Sequence, residues 1–395
     1  MKLTQTTQTP KNFSLSEGGP FHNALVKMRL SDKQGRLVLV VLCITWLPLV
    51  LITFIEGTLY SGIQLSFLKD VAMQARLLVA LPILIMIKPT IDRKVVEVTK
   101  YLSETLMGPE DRHEIITKAF YRAKKLTSSG LTEIILLLIV IGITISLVKG
   151  GVYSALEGGT TSWMASNKTG NQSLSFAGNW AVFFSIPVFS FLLMRWLWRY
   201  LVWILLLFRI SKSKLNLLPT HADRAGGLGI IILAQRNFNL IFVAGSVLIS
   251  GQLMAQLIKY PDSFFTLRNL GLSYIVLSLI LVLFPLVFFM GKLVKIKQQG
   301  LMQLSKLGAT LSDKFEGEWV NDLPIEKRIS EQHVDPSMVF DYAGIYDSVQ
   351  QIRIIPVTIR DIIGMALALF VPFIPILFIH FSVSELLKKI FGMLF

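Results

Sequence analysis

Two groups of residues in this sequence have types and spacings suited to chemistry, and the first is an arginine pair. Arg195 and Arg199 stand four residues apart, which places both guanidinium groups on one face of a helix. Their neighbours are rich in aromatic residues: Trp196, Trp198, Tyr200 and Trp203. Paired guanidinium groups bind oxyanions well, so the pair could hold an anion or a lipid headgroup. The alternative is an anchor at a membrane surface, where Trp, Tyr and Arg all collect.

The second group is the stretch LPTHADRAGGLG at 218–229, between two apolar segments. It combines charged and flexible residue types: His221, Asp223, Arg224, Gly226 and Gly227. Glycines let the backbone approach a ligand closely, and free N–H groups at a helix start attract anions. Together with Arg209 and the arginine pair, the stretch suggests an anion or headgroup pocket. A tight turn between helices, with a local Asp223–Arg224 ion pair, is the alternative.

Neither group contains a recognisable catalytic motif. The one cysteine, Cys43, cannot form an intrachain disulfide or a cysteine-based zinc site. His221 and Asp223 are two metal-ligand types without a third, so we predict no metal and no cofactor. The glycine turn is not a phosphate-binding loop, because no Gly-Lys-Ser/Thr follows it, and no strand precedes it for a dinucleotide fold. An enzyme is therefore the least favoured class.

The elements that position these residues are apolar helices. The chain is 53% hydrophobic and 16% charged, whereas soluble domains are about 25% charged. Seven apolar blocks are each long enough to cross roughly 30 Å of hydrocarbon as a helix. They lie at about 37–55, 70–88, 131–148, 180–207, 230–258, 270–291 and 362–381. The sequence thus predicts an all-α, polytopic integral membrane protein with a membrane domain over 37–381.

The distribution of Lys and Arg predicts the orientation of these spans. Basic residues are frequent before the first span, between the second and third, near the end of the fourth and after the sixth. They are scarce in the alternate loops, as expected when the rich segments are cytoplasmic. The N-terminus is then cytoplasmic and the C-terminus periplasmic. The net charge of +14 follows mostly from this topology, so no nucleic-acid partner is predicted.

Several segments outside the spans carry their own predictions. Residues 1–36 form a cytoplasmic arm, 89–130 a helical hairpin, and 292–360 further cytoplasmic helices. An apolar stripe in the last of these should dock on the hairpin or on a second subunit, unless it is ordinary core: Met338, Tyr342, Ile345, Val349 and Ile352. The tail 382–395 is predicted to be an interfacial amphipathic helix.

One charge is predicted to lie inside the bilayer. A span of about 20 residues ending at Lys88 places Arg76 well below the membrane surface. Such a charge is costly, faces the protein interior and needs a partner. Glu56, Asp70 and Glu157 are the acidic candidates. Arg76 either lines a solute or proton path or forms a structural ion pair.

Four stretches resemble a family of uncharacterised bacterial polytopic inner-membrane proteins. The likeness covers nearly the whole chain and rests on TWLPLVLITFIEG, FLKDVAMQARLLVALPILI, MRWLWRYLVWILLLFRISKSKLNLLPTHADRAGGLG, and YDSVQQIRIIPV with the later SELLKKIFGMLF. The family usually has proline at the position of Ala222, and its absence here makes the turn less rigid. The resemblance implies a bacterial multi-span membrane protein and supplies no activity.

Three functions are consistent with these observations. A channel or carrier for a small, perhaps anionic, solute would use Arg76, the arginine pair and the proline kinks of the spans. A scaffold or sensor would bind a cytoplasmic protein through the helices of 89–130 and 292–360. An enzyme acting on lipid or phosphate would use His221, Asp223 and Arg224. The first is favoured, with membrane lipids as partners and a homo-oligomer as an open arrangement.

Overall fold

A computed structural model describes residues 13–60, 63, 65–106, 111–147, 162–166, 173–320 and 335–380. These residues are mostly helical, and the strands among them are one isolated bridge and one antiparallel pair, β1 (Ala165–Ser166) and β2 (Ser173–Leu174). The predicted all-α class is confirmed. The predicted tail 382–395 lies outside the described residues.

The described helices follow one another with few long connections. In chain order they are α1 (Pro20–Lys27), α2 (Gln34–Ile55), α3 (Val71–Leu106), α4 (Asp111–Thr127), α5 (Gly130–Leu147), α6 (Phe176–Ser211), α7 (Leu228–Lys259), α8 (Pro261–Val320), α9 (Pro336–Gln350) and α10 (Ile359–Phe378). By length and composition, six of them can cross a membrane, or seven if the bent pair within α4 and α5 is one span. Five predicted spans coincide with one of these helices to within a few residues, and the second and sixth lie inside the longer helices α3 and α8.

Helix geometry changes at the prolines inside the spans. α3 is π-helical over Ala75–Ala80, just before Pro82, and α6 is π-helical over Ala181–Ser185, just before Pro187. α8 tightens to a 3-10 turn around Pro285. Proline lacks an N–H, and its ring collides with the carbonyl four residues earlier, so the helix must widen or tighten there.

A helical hairpin is present in the part of 89–130 that the structure describes. α3 continues beyond the predicted end of the second span to Leu106, and α4 returns along α6. The indole Nε1 of Trp198 donates to the carbonyl of Leu126 at 3.2 Å. α4 and α5 then meet at a bend of 46°. The tip of the hairpin, 107–110, is outside the described residues.

α8 is a continuous helix of 60 residues. Its length is therefore about 90 Å, roughly three times the hydrocarbon thickness of a bilayer. The first half contains the predicted span 270–291. The second half is the polar-faced continuation that the sequence predicted for 292–311.

The second half of α8 forms the docking surface for α9. Tyr342 Oη donates to the carbonyl of Leu304 at 2.8 Å, and Val349 is fully buried. Gly300 and Gly308 lie at this contact and leave the space that the two α9 side chains fill. Tyr342 and Val349 of the apolar stripe thus pack on α8 of the same chain, whereas Met338 and Ile345 are 51% and 44% exposed.

The residues before the first span pack into the helical bundle. We call residues 13–27 the arm segment. Leu15 has no exposed surface, and the ring of Phe13 meets the ring of Phe120 edge-on, with centroids 4.8 Å apart. Gly18 and Gly19 have φ values of 100° and 89°, which favour glycine. They turn the chain so that the start of α1 faces α5.

Candidate functional site

The structure separates the candidate residues into two places. Arg195 and Arg199 lie midway along α6, where Arg199 contacts the arm segment. Arg209 is ten residues further along the same helix, about 15 Å from Arg199 along the axis. The turn at 218–229 instead contacts α3 and α8. The helix rise separates Arg209 from the arginine pair, and the contacts of the turn are with other helices.

Arg195 forms a buried ion pair with an acid that the sequence analysis did not select. Its Nε lies 3.0 Å from Glu133 Oε1, and each side chain is 10% exposed. The other carboxylate oxygen, Oε2, accepts the backbone N–H of Phe21 at 2.7 Å. Phe21 is in the first turn of α1, where free N–H groups favour a negative charge. Glu133 therefore joins α5, α6 and α1.

Arg199 is held through the arm segment. Its side chain is buried, and Nη2 donates to the carbonyl of Ser16 at 2.7 Å. The N–H of Ser16 donates to Asp92 Oδ1 at 3.3 Å, and its hydroxyl donates to Oδ2 of the same carboxylate. Among the described residues, no carboxylate oxygen lies within 4 Å of the Arg199 guanidinium. We call Asp92, Glu133, Arg195 and Arg199 the charge cluster.

The charge cluster contains hydrogen-bond donors without acceptors. Nη2 of Arg195 is buried and has no hydrogen-bond partner in the described part of the chain. The flat face of its guanidinium lies over the Phe21 ring, 4.7 Å from the centroid. The Arg199 guanidinium lies over the Trp196 ring at 4.9 Å. Aromatic faces stabilise the positive charges without using their N–H groups.

Arg76 lies in the π-helical stretch of α3. Its guanidinium is 6.0 Å from the centroid of Phe189 on α6. Within the described ranges it makes no hydrogen bond and no ion pair. π-helical turns frequently occur at functional sites. Arg76 is thus half-buried beside Phe189, without a direct counter-ion among the described residues.

The predicted partners of Arg76 have other roles. Asp70 caps the start of α3 by accepting the N–H of Met73 at 3.0 Å. Its second oxygen accepts the indole N–H of Trp163 at 3.0 Å. Glu56 accepts the N–H of Phe176 at 2.9 Å. Glu157 lies outside the described residues.

Asp223 occupies the anion position of the glycine turn. Its carboxylate accepts the N–H groups of Ala225, Gly227 and Gly229 at 2.8, 3.1 and 2.8 Å. His221 Nδ1 lies 2.8 Å from the same carboxylate. Burial alone would raise the pKa of Asp223, but these bonds outweigh it and hold the pKa below its ordinary value. The N–H groups that could have bound an external anion are thus already used.

The glycines of the turn allow close packing. Gly226 and Gly227 have φ values of 63° and 94°. A Cβ atom would lie 2.6 Å from Ile296 Cδ1 at Gly226 and 2.7 Å from Leu106 Cδ2 at Gly227. The close approach that these glycines permit is therefore to apolar side chains of α8 and α3.

Arg353, which the sequence analysis did not select, holds the turn through two hydrogen bonds. The Arg353 guanidinium donates to the carbonyl of Asp223, and its backbone N–H donates to the carbonyl of Arg224 at 2.9 Å. Arg224 itself is exposed and has a φ of 51°. The turn is thus a joint between α3, α8 and the segment after α9.

The missed acids did leave a signal in the sequence. Glu133 stands in the first turn of an apolar helix, and Asp92 follows Lys88 by one helical turn. Both lie at the ends of predicted spans on the side predicted to be cytoplasmic, where an acid is a candidate partner for a buried arginine. Arg195 and Arg199 lie midway along their own span, so predicted depth alone would not have paired them with these acids. Ser16 had no comparable signal, because a backbone carbonyl is invisible in sequence.

One further feature, an apolar cleft, lies apart from the charge cluster. This cleft is enclosed by α7, α8 and α10, with Leu253, Phe264 and Phe373 among its lining residues.

In the described ranges, no group of three His, Cys, Asp or Glu side chains could hold a metal ion. The hydrogen-bond partner of His221 besides Asp223 is Tyr101, with 3.4 Å between Nε2 and Oη.

The helices and the charge cluster define a multi-pass α-helical membrane protein with ionised side chains inside its bundle. No protein-family model, curated protein or solved structure matches the chain. The family resemblance noted in the sequence therefore stays a prediction.

Proposed function

We propose that this protein is a channel or carrier for a small anion in the bacterial inner membrane, with a cytoplasmic N-terminus and a periplasmic C-terminus. One observation carries the proposal. The buried Arg199 guanidinium has no carboxylate within 4 Å among the described residues, and the neighbouring Arg195 Nη2 is a buried donor without an acceptor there. Burying an ion costs several kcal/mol unless it is fully paired. Intramembrane donors left open in this way are typical of ligand sites.

The chemistry of the pair favours an oxyanion. Each guanidinium group presents N–H donors in a planar fork that matches two oxygens of a carboxylate, sulfate or phosphate. Arg195 and Arg199 are one helical turn apart, so one small anion can contact both. Glu133 and Asp92 balance the two positive charges when no anion is bound.

The depth of the groups supports passage across the membrane. Trp196 Nε1 donates to the carbonyl of Leu84 at 2.6 Å, so the pair is level with a residue inside the second predicted span, 70–88. Arg76 is eight residues before Leu84 on α3, about 12 Å further along the helix. Two positive sites at different depths would lower the cost of moving an anion through the bundle.

The test is uptake of chloride, nitrate, sulfate and phosphate by liposomes that contain the purified protein. We expect uptake of at least one anion above that of protein-free liposomes. Arg199→Gln should reduce it about tenfold or more, because a charge-assisted hydrogen bond is worth about 1.5–3 kcal/mol. Arg122→Gln, at an exposed position on α4, is the matched control and should leave uptake unchanged. Equal uptake in the two variants, or none with any anion, would disprove the proposal.

A scaffold is the second candidate function, and the exposed apolar surface of α8 and α9 favours it. Met302 and Leu307 on α8 are 62% and 58% exposed, and Phe340 on α9 is 79% exposed. Single apolar residues are common on surfaces, but a group of them on a helix pair is typical of a binding face. For a scaffold, anion uptake is nil, and Phe340→Asp removes a co-purifying protein that Arg199→Gln retains.

A further inference from the structure

We propose that the arm segment is a plug that occupies the anion site and must move away before an anion binds. This inference rests on the proposed function and adds its regulation. The arm segment reaches the charge cluster at two points: the carbonyl of Ser16 takes a position that a bound anion would use, and Phe21 covers Arg195.

The first point is the carbonyl of Ser16. Its oxygen lies 2.7 Å from Arg199 Nη2, which is the distance expected for an oxygen of a bound anion. A carbonyl oxygen carries only a partial negative charge, so it satisfies a guanidinium group less well than an oxyanion does. An anion can therefore compete with the plug for Arg199.

The second point is Phe21, which covers Arg195. The ring lies over the guanidinium, and the N–H of the same residue holds Glu133, the counter-ion of Arg195. Removing Phe21 uncovers Arg195 and at the same time frees one oxygen of Glu133. The unpartnered Nη2 of Arg195 lies at this same contact. One movement of the arm segment thus changes access to both guanidinium groups.

The contacts that hold the plug are separate from the charged ones. Leu15 is fully buried, and Phe13 packs on Phe120 of α4. Gly18 approaches Ser128 so closely that a Cβ atom at this glycine would collide with it. Changing Leu15 can therefore weaken the plug without touching Arg195, Arg199 or their acids.

The experiment compares Leu15→Asp with Val26→Asp, which adds the same charge to the same segment at a residue that is 49% exposed. Sulfate uptake by liposomes is measured for both and for the unchanged protein. We expect Leu15→Asp to increase the initial rate at least threefold, and the added change Arg199→Gln to remove the increase. If Leu15→Asp fails to fold, Phe21→Ala, which uncovers Arg195, takes its place.

A second readout follows the arm segment directly. In a Cys43→Ser background, a cysteine introduced at Leu15 reports burial through its rate of maleimide labelling. We expect faster labelling in sulfate than in the bulky anion gluconate at equal ionic strength. The plug is overturned if labelling is equally fast in both salts and Leu15→Asp shows no gain in uptake over Val26→Asp. Measurable uptake by the unchanged protein would then still support the carrier. No uptake of chloride, nitrate, sulfate or phosphate by any variant, together with unchanged labelling, overturns both.

Discussion

Arg195 Nε lies 3.0 Å from Glu133 Oε1 in a contact where both side chains are 10% exposed. The pair links α6 to α5, and Glu133 also accepts an N–H of the arm segment. A single buried carboxylate therefore connects two spans and the segment that precedes them.

Replacing Glu133 by Gln should destabilise the fold by about 3–5 kcal/mol, because it leaves the Arg195 charge buried without its counter-ion. The measurement is the free energy of unfolding in detergent. Glu97→Gln is the matched control, since the Lys94–Glu97 pair is exposed and such pairs contribute about 0–1 kcal/mol. A similar loss of unfolding free energy in the two variants would show that the buried pair contributes no more stability than the exposed pair.

Replacing Asp223 by Asn should destabilise the glycine turn by about 0.5–2 kcal/mol, as for other helix caps. The pKa of Asp223 is held below its ordinary 3.8. Its stabilising effect is therefore complete above that pH and is lost as the pH falls through the folded-state pKa. The difference in unfolding free energy between the unchanged protein and Asp223→Asn should stay constant at higher pH and shrink in acid. A difference that grows in acid would contradict this assignment.

Replacing Gly227 by Ala should cost about 1–2 kcal/mol, because its φ of 94° is strained for any residue with a Cβ atom. The added atom would also press on Leu106. Gly364→Ala on α10 is the control, since no atom lies within 4 Å of a Cβ there. The unfolding temperature of Gly227→Ala should be lower than that of Gly364→Ala. Equal unfolding temperatures would argue that Gly227 does not need its left-handed backbone conformation.

Acidification should loosen the arm segment. Burial, then Lys88 and Arg195, and to a lesser extent Arg199, hold the pKa of His22 below its ordinary 6.5, while Glu17 opposes them. The folded state thus favours neutral His22, and this stabilisation is present above 6.5 and lost as the pH falls toward the folded-state pKa. Labelling of a cysteine introduced at Leu15 should become faster over that interval.

The matched variant for this pH effect is His22→Asn, which cannot gain the charge. Its labelling rate should vary less with pH than that of the protein that keeps His22. Parallel pH profiles for the two proteins would assign the effect to another group.

Much of the architecture could be predicted from the sequence, because the bilayer imposes it locally. Each span can be recognised from about 20 consecutive apolar residues. It must be a helix because a lipid-facing backbone has to satisfy its own hydrogen bonds. The prolines at 82 and 187 mark where helix geometry changes, and Asp335 with Pro336 marks the start of α9. The pairing of α9 with α8 was not predicted, because an apolar stripe does not specify which surface will cover it.

The candidate site was only half visible in the sequence. Arg195 and Arg199 were identified because one helix fixes their relation, and helical spacing is a property of local sequence. Their contacts with Glu133, Asp92 and Ser16 join residues that are distant in the chain, so only tertiary packing decides them. The same packing left Arg195 Nη2 without an acceptor among the described residues, whereas Asp223 binds N–H groups of its own local turn. The sequence determined which residues carry charge, whereas the fold decided which of those charges are satisfied.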